Sequence, residues 1–115
     1  MKKTLAAKVF GRVQGVSFRI FILNKALQLN LNGITENLLD GSVKVEVEGE
    51  EKNLLKLIEC IKKGPLFSKV IKVDYKISEC ENKYSNFIII RKNSFLKDQI
   101  KSYSSFLKSI MKKNE

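Results

Sequence analysis

The sequence predicts an α+β fold in which two helices cover one face of an antiparallel sheet. Residues 42–48 alternate strictly between valine and polar or charged side chains, which is typical of a strand with one buried and one solvated face. Residues 19–30 and 50–63 carry apolar side chains at helical spacing. The chain has 115 residues and is 43% hydrophobic, so these elements are expected to share one core.

The first part of the chain is predicted to form a strand, a loop and a helix. Residues 5–11 form the strand, and Gly11 and Gly15 bracket the short loop that follows it. The helix over residues 19–30 carries a wide apolar stripe. We expect Gly33 to end this helix as a left-handed cap, since glycine adopts positive φ without steric cost.

The second part is predicted to add a hairpin, a helix and further strands. A short strand over residues 34–38 and the strand over 42–48 flank Asp40-Gly41, a pair typical of hairpin turns. The helix over residues 50–63 stops at a Gly-Pro pair, and the remaining strands are predicted over 70–77 and 86–91. The first six of these elements follow the order β-α-β-β-α-β of a ferredoxin-like split βαβ sandwich.

Composition excludes several classes of site. The sequence contains no histidine, so a Ser-His or Cys-His nucleophile system is excluded. Cys60 and Cys80 are the only cysteines and are too few for a zinc site, so we expect no metal, no cofactor and two reduced thiols. The sequence contains no run of about 18 apolar residues, so no transmembrane helix is expected. A cytoplasmic location is therefore expected.

The formal charge of +10 is consistent with attraction of an anion or with a simply solvated, lysine-rich surface. Only three of the 22 basic residues are arginine. Because the lysines are not interleaved with aromatic side chains, no nucleic acid partner is expected. Glu46 and Glu48 are predicted to lie on the solvated face of the strand over residues 42–48, without a catalytic role.

An anion site is predicted between the first strand and the first helix. Glycine turns allow the backbone N–H groups between Gln14 and Phe18 to point at one ligand, and a helix N-terminus adds the positive end of a dipole. Arg19 follows in the first helical turn, with a planar guanidinium that suits phosphate or carboxylate oxygens. Taken alone, an arginine at such a position is more often a surface residue, and Asn37 is more often a turn residue.

The segment Gly11-Arg-Val-Gln-Gly-Val-Ser-Phe-Arg19 resembles the signature of the acylphosphatase family, Gly-x-Val-Gln-Gly-Val-x-Phe-Arg. A second segment, from Gly33 to Asn37 and on to Asp40-Gly41, is also similar to that family. The resemblance implies an acylphosphatase-like domain over residues 1–92. The implied activity is hydrolysis of a small-molecule acyl phosphate to a carboxylate and inorganic phosphate.

The resemblance also implies a role for individual residues. Arg19 is expected to bind the phosphate of the substrate, and Asn37 to orient the attacking water, because a carboxamide both accepts and donates hydrogen bonds. The substrate's own phosphate oxygen is expected to take the proton, since no histidine is available as a base. The backbone amides expected to join Arg19 are those of Gln14, Gly15, Val16, Ser17 and Phe18.

Residues 93–115 lie outside the resemblance and are predicted to form an amphipathic basic helix. Apolar residues recur along this segment at spacings of 4, 3, 4 and 3: Leu96, Ile100, Tyr103, Leu107 and Ile110. Such a stripe is costly to leave exposed. We expect it to dock on the same domain or to mediate self-association, whereas membrane contact is less favoured.

Three other functions stay open at this level. RNA-binding modules share this order of elements but need aromatic side chains on the central strands, where only Phe10 is found. The segment Phe18-Arg-Ile-Phe21 also resembles the acylphosphatase-like domain of hydrogenase-maturation carbamoyltransferases. A catalytically idle acylphosphatase-like interaction domain, with a partner bound by residues 93–115, is the remaining alternative.

Overall fold

A computed structural model of the chain describes residues 1–91. Its elements are β1 (Lys2–Arg12), α1 (Phe18–Gln28), β2 (Asn32–Asn37), β3 (Val43–Glu50), α2 (Glu51–Lys63), β4 (Lys69–Glu79) and β5 (Phe87–Ile90). Every element predicted within this part of the chain is confirmed, with boundaries that differ by at most three residues. The helix predicted over residues 93–115 lies outside the described residues.

Four strands form the predicted antiparallel sheet, and the fifth extends it. The strand order is β4-β1-β3-β2-β5. β1 pairs antiparallel with β3 and β4, and β2 pairs antiparallel with β3. β5 pairs parallel with β2, because the chain crosses from the β4 edge to the opposite edge before β5 begins. The last residues of β2 and β5 therefore lie side by side.

The core lies between the sheet and the two helices. Val43, Val45 and Val47 of β3 are fully buried, as their alternation predicted. The helices bury Phe18, Ile22 and Ala26 from α1 and Leu54, Leu57, Ile58 and Ile61 from α2. Each large apolar side chain contributes on the order of 1.5–3 kcal/mol by leaving water. Within residues 1–91, no helix is long and apolar enough to cross a bilayer.

Gly33 does not end α1, so that part of the sequence prediction is wrong. The helix ends at Gln28, and the left-handed residue that follows it is Asn30, with a φ of 56°. Gly33 lies within β2, where a Cβ atom would stand 2.0 Å from the carbonyl oxygen of Glu46. The close approach of β3, and not a helix cap, therefore requires glycine at this position.

Glu46 and Glu48 are more than solvated residues on the open face of β3. Glu48 is 6% exposed, and its carboxylate accepts hydrogen bonds from the backbone N–H groups of Lys83 and Tyr84 at 3.0 and 3.2 Å. The Tyr84 hydroxyl donates to Glu46. Burial and these carboxylates raise the pKa of Tyr84. The two glutamates thus hold the crossing from β4 to β5, and thereby the position of β5.

Candidate active site

The loop over residues 13–17 turns sharply between β1 and α1. Gly15 and Ser17 have positive φ values of 75° and 61°, and such turns make successive N–H groups converge on one side. Within residues 1–91, no N–H group of residues 14–18 finds a hydrogen-bond acceptor. The Ser17 side chain does not cap α1, and the first helical turn carries no acidic residue. The loop and the helix N-terminus therefore offer several donors to an anion.

Apolar side chains on both sides of the loop fix its backbone. Val13 and Phe18 are buried, and the Phe18 ring packs edge-on against Phe21 with 6.0 Å between the ring centroids. Val16 packs against the same core. Because these side chains point into the protein, the loop meets a ligand mainly through its backbone.

The Gln14 side chain joins this loop to the β2–β3 hairpin. Its Nε2 donates to the carbonyl oxygens of Leu38 and Ser42, at 2.8 and 2.9 Å. From the sequence, a role could be assigned only to the Gln14 backbone. The partners of its side chain become visible only once the hairpin is placed beside the loop.

Asp40 stabilises the same hairpin. One carboxylate oxygen accepts hydrogen bonds from the backbone N–H and the hydroxyl of Ser42, and the other forms an ion pair with Lys8 Nζ at 2.9 Å. The hydrogen bonds from Ser42, together with Lys8, hold the pKa of Asp40 well below its usual range. This closed turn fixes the end of β2, where Asn37 lies.

Arg19 lies half-buried in the first turn of α1. Its Nη1 donates to the carbonyl oxygen of Ile90 in β5, at 3.3 Å. Within residues 1–91, Arg19 forms no ion pair with a carboxylate. The guanidinium is therefore held by an uncharged acceptor, so no carboxylate of residues 1–91 offsets its charge, and N–H donors are left for a ligand.

Asn37 is the last residue of β2 and pairs with Val43 of β3. Its Oδ1 is buried and has no hydrogen-bond partner among the described residues. A buried polar atom without a partner costs about 1–3 kcal/mol. A bound water or ligand that donates to Oδ1 would remove this cost.

Arg19 and Asn37 line one cavity of about 300 Å³. The residues that form its walls are Val13, Gly15, Ser17, Phe18, Arg19, Ile20, Asn37, Ile89 and Arg91. Two of the residues expected to bind phosphate, Gln14 and Val16, are not among them. The Gln14 side chain faces the hairpin and Val16 packs against the core, so only their backbone N–H groups belong to the loop's donors.

Sequence reasoning missed the contribution of β5 to this cavity. Ile89 and Arg91 line the cavity because β5 lies next to β2. The sequence around these two residues does not indicate that β5 pairs with β2. Ile20 was expected only as part of the first helix. The one available signal was that Arg91, one of three arginines in the chain, ends the last predicted strand.

The walls that residues 1–91 give the cavity carry positive charge and no acidic or cysteine side chain. Among the described residues, two arginines line it and no acidic side chain does. Residues 1–91 contain no group of three or more acidic or cysteine side chains that could hold a metal ion. Amide and guanidinium donors suit the oxygens of a phosphate, and the Asn37 carbonyl oxygen suits a donor such as water.

Known proteins share this sequence pattern. The family model described as acylphosphatase matches residues 5–89. The acylphosphatase of Caldanaerobacter subterraneus subsp. tengcongensis is 40% identical over 89 residues, which cover 77% of this chain and 99% of that protein. The agreement therefore includes both the loop before α1 and the hairpin after Asn37.

Solved structures share the fold. The crystal structure of acylphosphatase from Bacillus subtilis superposes with a TM-score of 0.75 at 35% identity, and covers 79% of this chain and 100% of that chain. Full-length HypF, in its phosphate- and nucleotide-bound form, superposes with a TM-score of 0.73 at 35% identity over 79% of this chain and 12% of that chain. The chain therefore belongs to the acylphosphatase family, and its reaction is the hydrolysis of the carboxyl–phosphate bond of acyl phosphates.

Proposed function

We propose that the acyl phosphate binds with its phosphate group against the Arg19 guanidinium and the backbone amides of residues 14–18. One observation carries this proposal: a single cavity is lined both by Arg19 and by Asn37, and within residues 1–91 neither a carboxylate partner for Arg19 nor a hydrogen-bond partner for the buried Oδ1 of Asn37 is found. Arg19 offers charge-assisted hydrogen bonds, and the N-terminus of α1 adds a favourable dipole. These interactions hold the phosphate during the reaction.

Asn37 orients the attacking water in this proposal. Its Oδ1 accepts a hydrogen bond from the water and so directs the water oxygen at phosphorus. The oxygen forms a bond to phosphorus while the bond from phosphorus to the acyl oxygen breaks, and the carboxylate leaves with that electron pair. The proton of the water passes to a phosphate oxygen, since the chain contains no histidine to accept it.

Positioning and charge stabilisation supply the catalysis. The loop amides and Arg19 donate to the oxygens on which charge develops, and one such donor typically contributes about 10²–10³-fold in kcat. Gln14 ties the loop to the hairpin that follows Asn37, so the phosphate and the water keep a fixed relative geometry.

Hydrolysis of benzoyl phosphate in water enriched in oxygen-18, by protein treated with EDTA, tests this reaction. Attack at phosphorus places the label in inorganic phosphate, and turnover is expected to survive chelation. Label in benzoate would instead show attack at the carbonyl carbon. Turnover that is lost on chelation and restored by metal would exclude the proposed mechanism. A sample without protein corrects for spontaneous hydrolysis.

The RNA-binding alternative has little support from the open face of the sheet. Phe10 is the aromatic side chain that β1 and β3 contribute to this face, and Lys8 Nζ and Lys72 Nζ lie 5.5 and 5.6 Å from its ring centroid. Glu46 and Glu48 add negative charge on β3. Because base stacking needs accessible aromatic rings on these strands, we propose that nucleic acid is not a partner.

A cytoplasmic location and self-association through residues 93–115 remain predictions. Cys60 and Cys80 are free thiols, which fits a reducing compartment. Residues 93–115 lie outside the described residues. Light scattering of the full chain and of a chain that ends at Arg91 tests the association: a larger particle mass for the full chain alone supports it, and monomeric masses for both exclude it.

A further inference from the structure

Arg91 brings a second guanidinium-bearing side chain into the wall of the active-site cavity. The parallel register pairs Glu36 of β2 with Ile90 of β5, so the next residues, Asn37 and Arg91, are neighbours at the ends of their strands. Both line the cavity. Arg91 is exposed whereas Arg19 is half-buried, so Arg91 lies at the mouth of the cavity and Arg19 lies deeper.

The charge of Arg91 is not neutralised by the described part of the chain. No carboxylate of residues 1–91 forms an ion pair with it. No acidic side chain of that segment lines the cavity. Arg91 therefore has donors and charge to offer to a ligand that occupies the cavity.

The charge of the substrate exceeds what Arg19 and α1 supply. The phosphate of an acyl phosphate carries up to two negative charges at neutral pH, because its second ionisation resembles that of other phosphate groups. Arg19 contributes one positive charge, and the N-terminus of α1 contributes roughly half a charge. One further cation at the mouth would more than supply the remaining half charge, and a guanidinium binds phosphate oxygens in a bidentate manner.

We propose that Arg91 is a second phosphate-binding residue that contacts the substrate phosphate from the mouth of the cavity. The proposal rests on the placement of the phosphate against Arg19 and the loop amides. An exposed residue at the mouth holds the phosphate equally in the ground state and in the transition state. Its removal is therefore expected to raise KM more than it lowers kcat.

Steady-state kinetics of Arg91→Gln and Arg91→Lys test the proposal on benzoyl phosphate and on 4-carboxybenzoyl phosphate. Arg91→Gln is expected to raise KM for both substrates, and the inhibition constant of inorganic phosphate, by about ten- to hundredfold, in the range of a hydrogen bond to a charged group. We expect kcat to stay within about threefold. Arg91→Lys should recover part of the loss. Arg12→Gln, the same exchange at an arginine outside the cavity, should change these constants less than about twofold.

Two results would overturn the proposal. An unchanged inhibition constant of phosphate in Arg91→Gln would show that Arg91 does not touch the phosphate. A loss confined to 4-carboxybenzoyl phosphate would show that Arg91 recognises charge on the acyl part. Failure of the underlying function is distinguishable, because wild-type protein would then hydrolyse neither substrate. If the wild type is active, the inhibition constant of inorganic phosphate in Arg19→Ala measures the contribution of the deeper arginine to phosphate binding.

Discussion

Arg19 donates a hydrogen bond from Nη1 to the carbonyl oxygen of Ile90, at 3.3 Å, and so joins the first turn of α1 to the last strand. The acceptor carries no formal charge, so this contact fixes the position of the guanidinium without offsetting its charge. This contact also explains why the crossing before β5 matters for the site. The glutamates that hold Lys83 and Tyr84 set the position of β5, and β5 in turn holds Arg19.

Arg19→Lys is expected to lose most of the activity. An ammonium group is a point charge, so it cannot bind two phosphate oxygens in the planar fork geometry and still donate to Ile90. We expect a loss in kcat/KM of at least about 10²-fold on benzoyl phosphate. Arg12→Lys, outside the cavity, serves as the matched control. A lysine variant with kcat/KM near that of the wild type would contradict the assignment of Arg19.

Asn37→Ala is expected to lower kcat while leaving phosphate binding almost intact. The alanine variant cannot hold the water, and misplacing a reactant typically costs about 10²-fold. The inhibition constant of inorganic phosphate should change less than about threefold, since Arg19 and the loop amides remain. Asn24→Ala, at an exposed position of α1, is the control. If phosphate affinity collapses together with kcat, Asn37 binds the phosphate and does not orient the water.

Local sequence was sufficient to predict the helices and strands and the glycine-bracketed loop before α1. Val43, Val45 and Val47 show their shared face by alternation alone, and the segment from Gly11 to Arg19 is contiguous. The glycines of that segment could be assigned to a turn, because a turn requires glycine for the φ angle at that position alone. Each of these features is determined within a few residues along the chain, which is why a single sequence reveals it.

Contacts between distant segments could not be predicted in this way. Gln14 and Leu38 are separated by 24 positions, and Glu48 and Tyr84 by 36. The alternation in β3 predicted that Glu48 is solvated. Alternation indicates on which face of the sheet a side chain lies, but it does not indicate whether another segment of the chain covers that face. Gly33 was misassigned for the same reason, since the atom that excludes a side chain there belongs to Glu46 on another strand.

Gln14→Leu is expected to weaken both stability and phosphate binding. The substitution removes two side-chain hydrogen bonds to the carbonyl oxygens of Leu38 and Ser42, which keep their backbone donors, at a cost of about 0.5–1.5 kcal/mol for each bond in the free energy of unfolding. The loop then loses its tie to the hairpin, and the inhibition constant of phosphate should rise. Urea unfolding and phosphate inhibition measure the two effects. Gln28→Leu, at an exposed glutamine, is the control, and equal behaviour of both variants would show that the Gln14 contacts are unimportant.

Asp40→Asn is expected to make the free energy of unfolding depend less on pH under acidic conditions. Because the folded pKa of Asp40 is lowered, its contribution is present above the ordinary carboxyl pKa of about 4 and is lost as the pH falls below that value. The wild type should therefore exceed the variant in unfolding free energy at neutral pH. The difference should shrink as the pH falls from about 4 towards 2. Urea unfolding across this range measures it, and a pH-independent difference would show that the charge of Asp40 contributes nothing.

The most direct test of the account compares benzoyl phosphate with phenyl phosphate as substrates of the purified protein. The chain contains no histidine and the cavity is lined by no acidic side chain among residues 1–91, so no general acid is available to protonate a poor leaving group. A carboxylate leaves without such help, whereas a phenolate does so far less readily. The account predicts turnover of benzoyl phosphate, competitive inhibition by inorganic phosphate and no measurable turnover of phenyl phosphate. Comparable hydrolysis of both compounds, or a folded protein that leaves benzoyl phosphate intact, would contradict it.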